Sequence, residues 1–149
     1  MDEEFPILIA EDDENDAYIL QRGLRAAGFH NPFHISPDGA DAVRYLKGEA
    51  PYADRGKHRF PRIIITDLKM PNMDGFELLE WLKEHGDCNV IPCLVLSSSQ
   101  QPRDVQRAYR LGANSYLMKP PTFEELVEHL QLVLRYWTMC QKPQVPAKC

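Results

Sequence analysis

The sequence predicts an α/β fold, a doubly wound sheet of five parallel strands in (βα)5 order. Three observations carry this. Five short apolar runs alternate with five segments of helical periodicity. The first four helical segments each run up to a glycine, at Gly28, Gly48, Gly86 and Gly112. The length, 149 residues, is one domain's worth. Strands that alternate with helices imply a parallel sheet covered on both faces, and right-handed crossovers leave few topologies.

The elements follow in order. Phe5 to Ala10 (FPILIA) is a brief, branched, apolar run and reads as a buried strand. Asp16 to Ala27 places Ala17, Leu20, Leu24 and Ala27 on one helical face. Phe33-His34-Ile35 is a weak second strand. Asp38 can cap a helix that runs to about Lys47, with Ala40, Val43 and Leu46 inward. Glu49 to Phe60 is polar and aperiodic, a loop longer than a compact domain usually carries. Arg62 to Thr66 (RIIIT) is the clearest strand.

Asp74-Gly75 opens a third helix, with Phe76, Leu79 and Leu82 at three-residue spacing. Ile91 to Ser97 is a fourth strand, with Pro92 tolerable near its start. Pro102 to Leu111 is a helix that starts with a proline and stops before a glycine. Ser115 to Met118 is a short fifth strand. The last helix spans Phe123 to Thr138, with a capping box expected from Thr122 and Glu125. Its stripe is Phe123, Leu126, Val127, Leu130, Val133, Leu134 and Trp137. Residues 1–140 make the domain, and 141–149 are expected to be a disordered tail.

Composition narrows the function classes. Hydrophobic residues are 44% and charged residues 26%, which excludes wholesale disorder. No run approaches the ~18 apolar residues of a membrane helix. The start, Met1-Asp2-Glu3-Glu4, is acidic and no signal-peptide core follows it, so a cytoplasmic protein is expected. A net charge of -5 speaks against nucleic acid as a partner. Cys88, Cys93, Cys140 and Cys149 show no zinc spacing and read as ordinary thiols in a chain long enough to build a core.

In such folds the functional groups gather outside the carboxyl ends of the strands. Glu11, Asp12 and Asp13 follow the first strand, and Asp67 the third. Ser97, Ser98 and Ser99 follow the fourth, and Lys119-Pro120 the fifth. Any one of these has a bland reading: Asp13 or Asp16 as a helix cap, Lys119 as a solvated lysine. Together they are the parts of one mechanism. Clustered carboxylates are costly unless a cation neutralises them, and oxygen-only ligands favour magnesium, calcium or manganese. A carboxylate beside bound magnesium can act as a nucleophile towards phosphorus. Lysine and serine supply a charge and a hydrogen bond for the phosphoryl oxygens.

These motifs resemble the receiver domain of bacterial response regulators, the CheY-like member of the flavodoxin-like folds. The resemblance spans Phe5 to Trp137 and rests on four segments in order: ILIAEDD, ITDLKMPNMDGFELL, LVLSSS and GANSYLMKP. It implies that Asp67 is the phosphoacceptor. It implies that Glu11, Asp12, Asp67 and the backbone carbonyl of Lys69 hold Mg2+, with Asp13 just beyond. Glu11 departs from the commoner Asp. Ser97 matches the switch hydroxyl, Tyr116 the aromatic that follows it, and Lys119 the lysine of the motif. Lys119-Pro120 matches a bond that is cis in the family. Pro71 and Gly75 match the turn after the phosphoacceptor strand.

The long segment Tyr45 to Phe60 and the ending Arg135-Tyr136-Trp137 resemble the small stand-alone regulators paired with bacterial phytochromes. The implied partner is a sensor histidine kinase, with the bacteriophytochrome type as the guess. The implied output is a changed surface of the fourth helix, fifth strand and fifth helix, which binds a downstream protein. Tyr109, Tyr116 and Trp137 are candidate markers of that face, although Trp137 also fits the core stripe. A homodimer stays open.

The expected role is therefore a phosphoacceptor rather than an enzyme, one that can catalyse its own phosphorylation from small donors and its own dephosphorylation. Rival readings are a phosphorelay shuttle to a histidine phosphotransfer protein, and a pseudo-receiver that binds without phosphorylation. A haloacid dehalogenase-type phosphatase needs an acid two residues past the nucleophile, where this chain has Lys69.

Overall fold

The branched and apolar runs pair as five parallel strands: β1 (Ile7–Ala10), β2 (Phe33–Ser36), β3 (Ile63–Thr66), β4 (Cys93–Ser97) and β5 (Ser115–Met118). Their order in the sheet is β2-β1-β3-β4-β5. The register aligns Ile9 with Ile65 and Ile35, so the central strands end level at Ala10 and Thr66. This computed structural model describes residues 5–144, 146, 148 and 149. The helices are α1 (Glu14–Ala26), α2 (Gly39–Lys47), α3 (Gly75–Glu84), α4 (Pro102–Arg110) and α5 (Phe123–Met139). Among the described residues, no helix is long and apolar enough to cross a membrane.

Strand alternation divides the core in two. Ile7, Ile9, Ile63, Ile65, Leu94 and Leu96 face Leu20 and Leu24 of α1 and Leu126, Leu130 and Leu134 of α5. Leu8, Ala10, Ile64, Cys93 and Val95 face the other layer, which includes Leu46 of α2, Leu78 and Leu79 of α3 and Ala108 of α4. The sheet is thus buried on both faces, as its continuous apolar runs require. Trp137 packs against the first of these clusters, which takes it off the list of surface markers. Of the other two, Tyr109 is exposed and Tyr116 half-buried.

Several local expectations need correction. Helix α1 begins at Glu14, because Asp13 caps it by accepting from the Asp16 N–H at 2.8 Å. The buried face of α2 centres on Ala42, Tyr45 and Leu46, with Ala40 and Val43 only half-buried. Tyr45 turns the helix because its ring has apolar area to bury, while its hydroxyl reaches the Arg59 carbonyl at 2.8 Å. The capping box forms at α3, between Asp74 and Glu77. At α5 Thr122 accepts from the Glu125 N–H, and no return bond from the Glu125 carboxylate accompanies it. The only cis peptide bond among the described residues is Ala50–Pro51, so Lys119–Pro120 is trans, the form an X–Pro bond prefers by about 0.5–1 kcal/mol.

The edge of the sheet opposite the strand ends carries a feature that the sequence did not suggest. Cys88, after α3, and Cys149 form a disulfide, whereas Cys93 and Cys140 are free thiols. Of the tail expected to be disordered, Val145 and Ala147 lie outside the described residues. Cys149 itself donates its N–H to the Leu46 carbonyl at 2.9 Å and packs against the cluster under α2 and α3. Pairing ordinary thiols requires their proximity, and the place of Cys149 against α2 and α3 supplies it.

Candidate functional site

Burial of the strands leaves their carboxyl ends as the place where polar side chains can stand on rigid supports. Glu11 follows β1 directly and is buried; Asp12 beside it is exposed. Asp67 follows β3 and is half-buried. One carboxylate oxygen from each of Glu11, Asp12 and Asp67 falls within 4.8 Å of the others. The Leu68 N–H donates to Asp67 Oδ1 at 2.7 Å, which sets the rotation of that carboxylate. Asp13, next in the acidic run, serves as the cap of α1, and its own N–H donates to Glu11 Oε1 at 3.1 Å.

Lys119, at the end of β5, reaches across to the acids. Its Nζ donates to Glu11 Oε2 at 2.8 Å, to Asp67 Oδ2 at 3.0 Å and to Asp16 Oδ2 at 3.0 Å. Burial alone would lower the lysine's affinity for its proton, but the bonds to these carboxylates outweigh it and raise the pKa. Burial pushes Glu11 up to about 7, reinforced by the Asp67 charge and opposed by Lys119 and the Asp13 N–H. One ammonium thus faces several carboxylates, and a second cation is what the charge balance lacks. The donor set is all oxygen, which suits a hard divalent ion.

Asp16 is the residue that sequence reasoning left as a cap. It stands in the first turn of α1, directly after the acidic run, and there it meets Lys119 at 3.0 Å.

The hydroxyls close the other side. Asp67, Lys69, Ser97, Ser98, Ser99 and Gln101 line a cavity of about 270 Å³. Ser97 is buried, and its Oγ accepts from the Ser99 N–H at 3.1 Å. Ser99 Oγ donates to Asp104 Oδ2 at 2.6 Å, which ties the loop to α4. Tyr116 is half-buried and its hydroxyl donates to the Ser99 carbonyl at 2.9 Å. Lys69 is exposed at the mouth. Glu11, Asp12, Asp67, Lys69, Ser97 and Lys119 therefore stand at the carboxyl ends of the strands, with Asp13 as the cap of α1.

The glycine after the β3 loop is forced. A Cβ on Gly75 would run into the Asp67 carbonyl oxygen, and the Gly75 N–H donates to the Leu68 carbonyl at 2.8 Å. Close backbone approach of this kind admits only glycine.

Comparison with known proteins gives a consistent picture. The family model described as "Response regulator receiver domain" matches residues 7–131. The chain is 33% identical to the probable methanogenesis regulatory protein FilR2 of Methanothrix harundinacea, over 96% of this chain and 90% of that one. It is 31% identical to response regulator Rcp1 of Synechocystis, over 88% and 87% of the two chains. The Mn(2+)-bound structure of Rcp1 superposes with a TM-score of 0.82 at 29% identity, covering 94% and 99%. Response regulator RPA3017, from red light signaling of R. palustris, superposes with a TM-score of 0.89 at 28% identity, also covering 94% and 99%.

Proposed function

The chain belongs to the response regulator receiver domain family and acts in two-component signalling; from that premise we propose that Asp67 accepts the phosphoryl group, with Glu11, Asp12 and the Lys69 carbonyl completing a magnesium site. The observation that carries the reading is the single ammonium of Lys119 bridging Glu11 and Asp67, with Asp12 in the same cluster.

The donor is a sensor histidine kinase. An Asp67 carboxylate oxygen forms a bond to phosphorus as the bond from phosphorus to the kinase histidine nitrogen breaks. The imidazole leaves with the bonding electron pair and the product is an aspartyl phosphate. The Leu68 N–H holds the acceptor carboxylate in place. Lys119 exchanges a carboxylate partner for a phosphoryl oxygen, and the Ser97 hydroxyl donates to another. Magnesium, when bound, supplies the positive charge that lets a dianionic group approach this cluster.

The same residues give the output. Movement of Ser97 towards the phosphoryl group withdraws the acceptor of the Ser99 N–H, and the loop that Tyr116 grips shifts with it. The surface formed by α4, β5 and α5 then presents a different face to a downstream protein. The equilibrium has two states biased by one charge, so a minor active population exists before phosphorylation. The red light context of RPA3017 supports a phytochrome-type kinase as the partner.

The test is intact-mass spectrometry after incubation with acetyl phosphate, with and without magnesium, beside Asp67→Asn. The expected result is a magnesium-dependent gain of one phosphoryl group, absent from the variant. No gain under conditions that phosphorylate a control receiver overturns the reading in favour of phosphorylation-independent binding.

A further inference from the structure

The loop between β3 and α3 is fixed at both ends. Asp67 is anchored to β1 through its N–H, which donates to the Ala10 carbonyl at 3.0 Å, and Gly75 is packed on Asp67. The middle of the loop gains its support from a different element, the turn between β2 and α2. Asp38 caps α2 with Oδ1, accepting from the Asp41 N–H at 2.7 Å. A cap uses one oxygen. The other, Oδ2, accepts from Asn72 Nδ2 at 2.8 Å, across 34 residues of sequence.

Two further observations mark this contact as built. The Gly39 N–H donates to the Met73 carbonyl at 2.8 Å, and a Cβ on Gly39 would lie 2.7 Å from that oxygen. Asn72 has φ 62, the only positive value at a non-glycine residue among those described. Asn accepts the left-handed region at less cost than most residues. The backbone conformation there aims the amide at Asp38, which is itself only 8% exposed.

We propose that Asp38 and Asn72 are positioning residues, whose hydrogen bond beside the Gly39–Met73 pair sets the place of the Lys69 carbonyl and with it the affinity of the site for a divalent cation. The inference rests on the reading of Asp67 and the Lys69 carbonyl given above. Asp38 is not a ligand, since it stands apart from the cluster of Glu11, Asp12 and Asp67. It acts through the loop, as partners of metal ligands commonly do.

The experiment is the affinity of the full chain for Mn2+, read as free ion by electron paramagnetic resonance. Asn72→Gly removes the amide and keeps the left-handed backbone. Asp38→Ser keeps a capping oxygen and is too short to meet Asn72. Each is expected to weaken Mn2+ binding roughly tenfold, with a lowered metal-free unfolding midpoint that still leaves the chain folded at the temperature of the titration. The double variant should be no weaker than the worse single, because one bond is removed twice. The exchanged pair, Asp38→Asn with Asn72→Asp, lets donor and acceptor trade places and should recover most of the loss. Wild-type affinity in both single variants, or no recovery in the exchanged pair, overturns the proposal. If wild type and Asp67→Asn bind Mn2+ alike, the metal-site reading itself falls, and this inference with it. Should Asn72→Gly fail to fold, Asp38→Ser and the exchanged pair decide.

Discussion

The hydroxyl of Tyr116 donates to the carbonyl oxygen of Ser99 at 2.9 Å, so the fifth strand holds the loop that follows Ser97. A hydrogen bond of this kind contributes about 1 kcal/mol net. Tyr116→Phe removes it and keeps the ring. The unphosphorylated state should lose that preference, and the active population should rise about fivefold. Amide chemical shifts of Ser97 and Ser99 in the metal-free protein, read against wild type and the phosphorylated form, check this. Shifts that stay at wild-type values would show that the bond does not hold the inactive state.

Removal of the cation should cost stability. A ligand at a hundred times its dissociation constant stabilises the folded state by about 2.7 kcal/mol. Thermal unfolding of wild type should therefore shift upwards with saturating magnesium and return with a chelator. Asp12→Asn takes one exposed carboxylate from the cluster and should reduce the shift while leaving the metal-free midpoint nearly unchanged. An equal shift in the variant would place the cation elsewhere.

The bond between Cys88 and Cys149 closes a loop across a sequence separation of 61. Loops of this size contribute roughly 2–4 kcal/mol, in large part by restricting the unfolded chain. Urea unfolding under a thiol reductant should show a correspondingly lower midpoint, and Cys149→Ser should reproduce it without further response to reductant. Cys93 should stay unlabelled by alkylating agents in the folded protein, because full burial pushes its thiol up to about 12.

The second turn of the domain predicts a pH dependence. Burial lowers the pKa of His34 below 6.5, against the opposing pull of Asp41. The unfolded chain therefore binds more protons than the folded one just below pH 6.5, and this histidine's contribution is lost as pH falls from there through its folded value. Burial pushes Asp41 up, but the donors around it, Tyr52, His34 and Arg44, outweigh that and lower it below 3.8. Its contribution is present above 3.8 and is lost as pH falls through its folded value. Glu11, raised from 4.5 to about 7, adds stability as pH falls from about 7 to 4.5, and so opposes the His34 contribution in that range. The informative readout is the difference between wild type and His34→Phe, which keeps the stacking on Tyr45. That difference should grow as pH drops below 6.5. Titration of the His34 ring by NMR should fall below 6.5, and lower again in Asp41→Asn.

The strands were legible because Ile63 to Ile65 and Cys93 to Leu96 are apolar without interruption, a pattern that only a doubly covered sheet explains. The acidic site was legible for the same reason: the residue after each run has nowhere to go but the strand ends. What the sequence hid was packing by residues that look polar. His34 stacks on Tyr45 with centroids 4.3 Å apart, and Tyr52 and His58 close over them, so the polar, aperiodic loop is seated on β2 and α2. Periodicity cannot show this, since the rings come from three separate segments. The pairing of Cys88 with Cys149 was invisible on the same ground, because it depends on where Cys149 packs rather than on spacing.

That disulfide turns residues 88 to 149 into a covalent ring. Ser97, Tyr116 and Lys119 lie within it, while Glu11, Asp12 and Asp67 lie on the open arm. A single cut by a protease in the exposed turn at Gly112 would open the ring and release nothing. On a gel without reductant the nicked chain would run as one band, and only with reductant would it part into two. Cys149 is accordingly a tethered point, and a reporter joined after it would sit beside α2 and α3, on the far edge of the sheet from the strand ends.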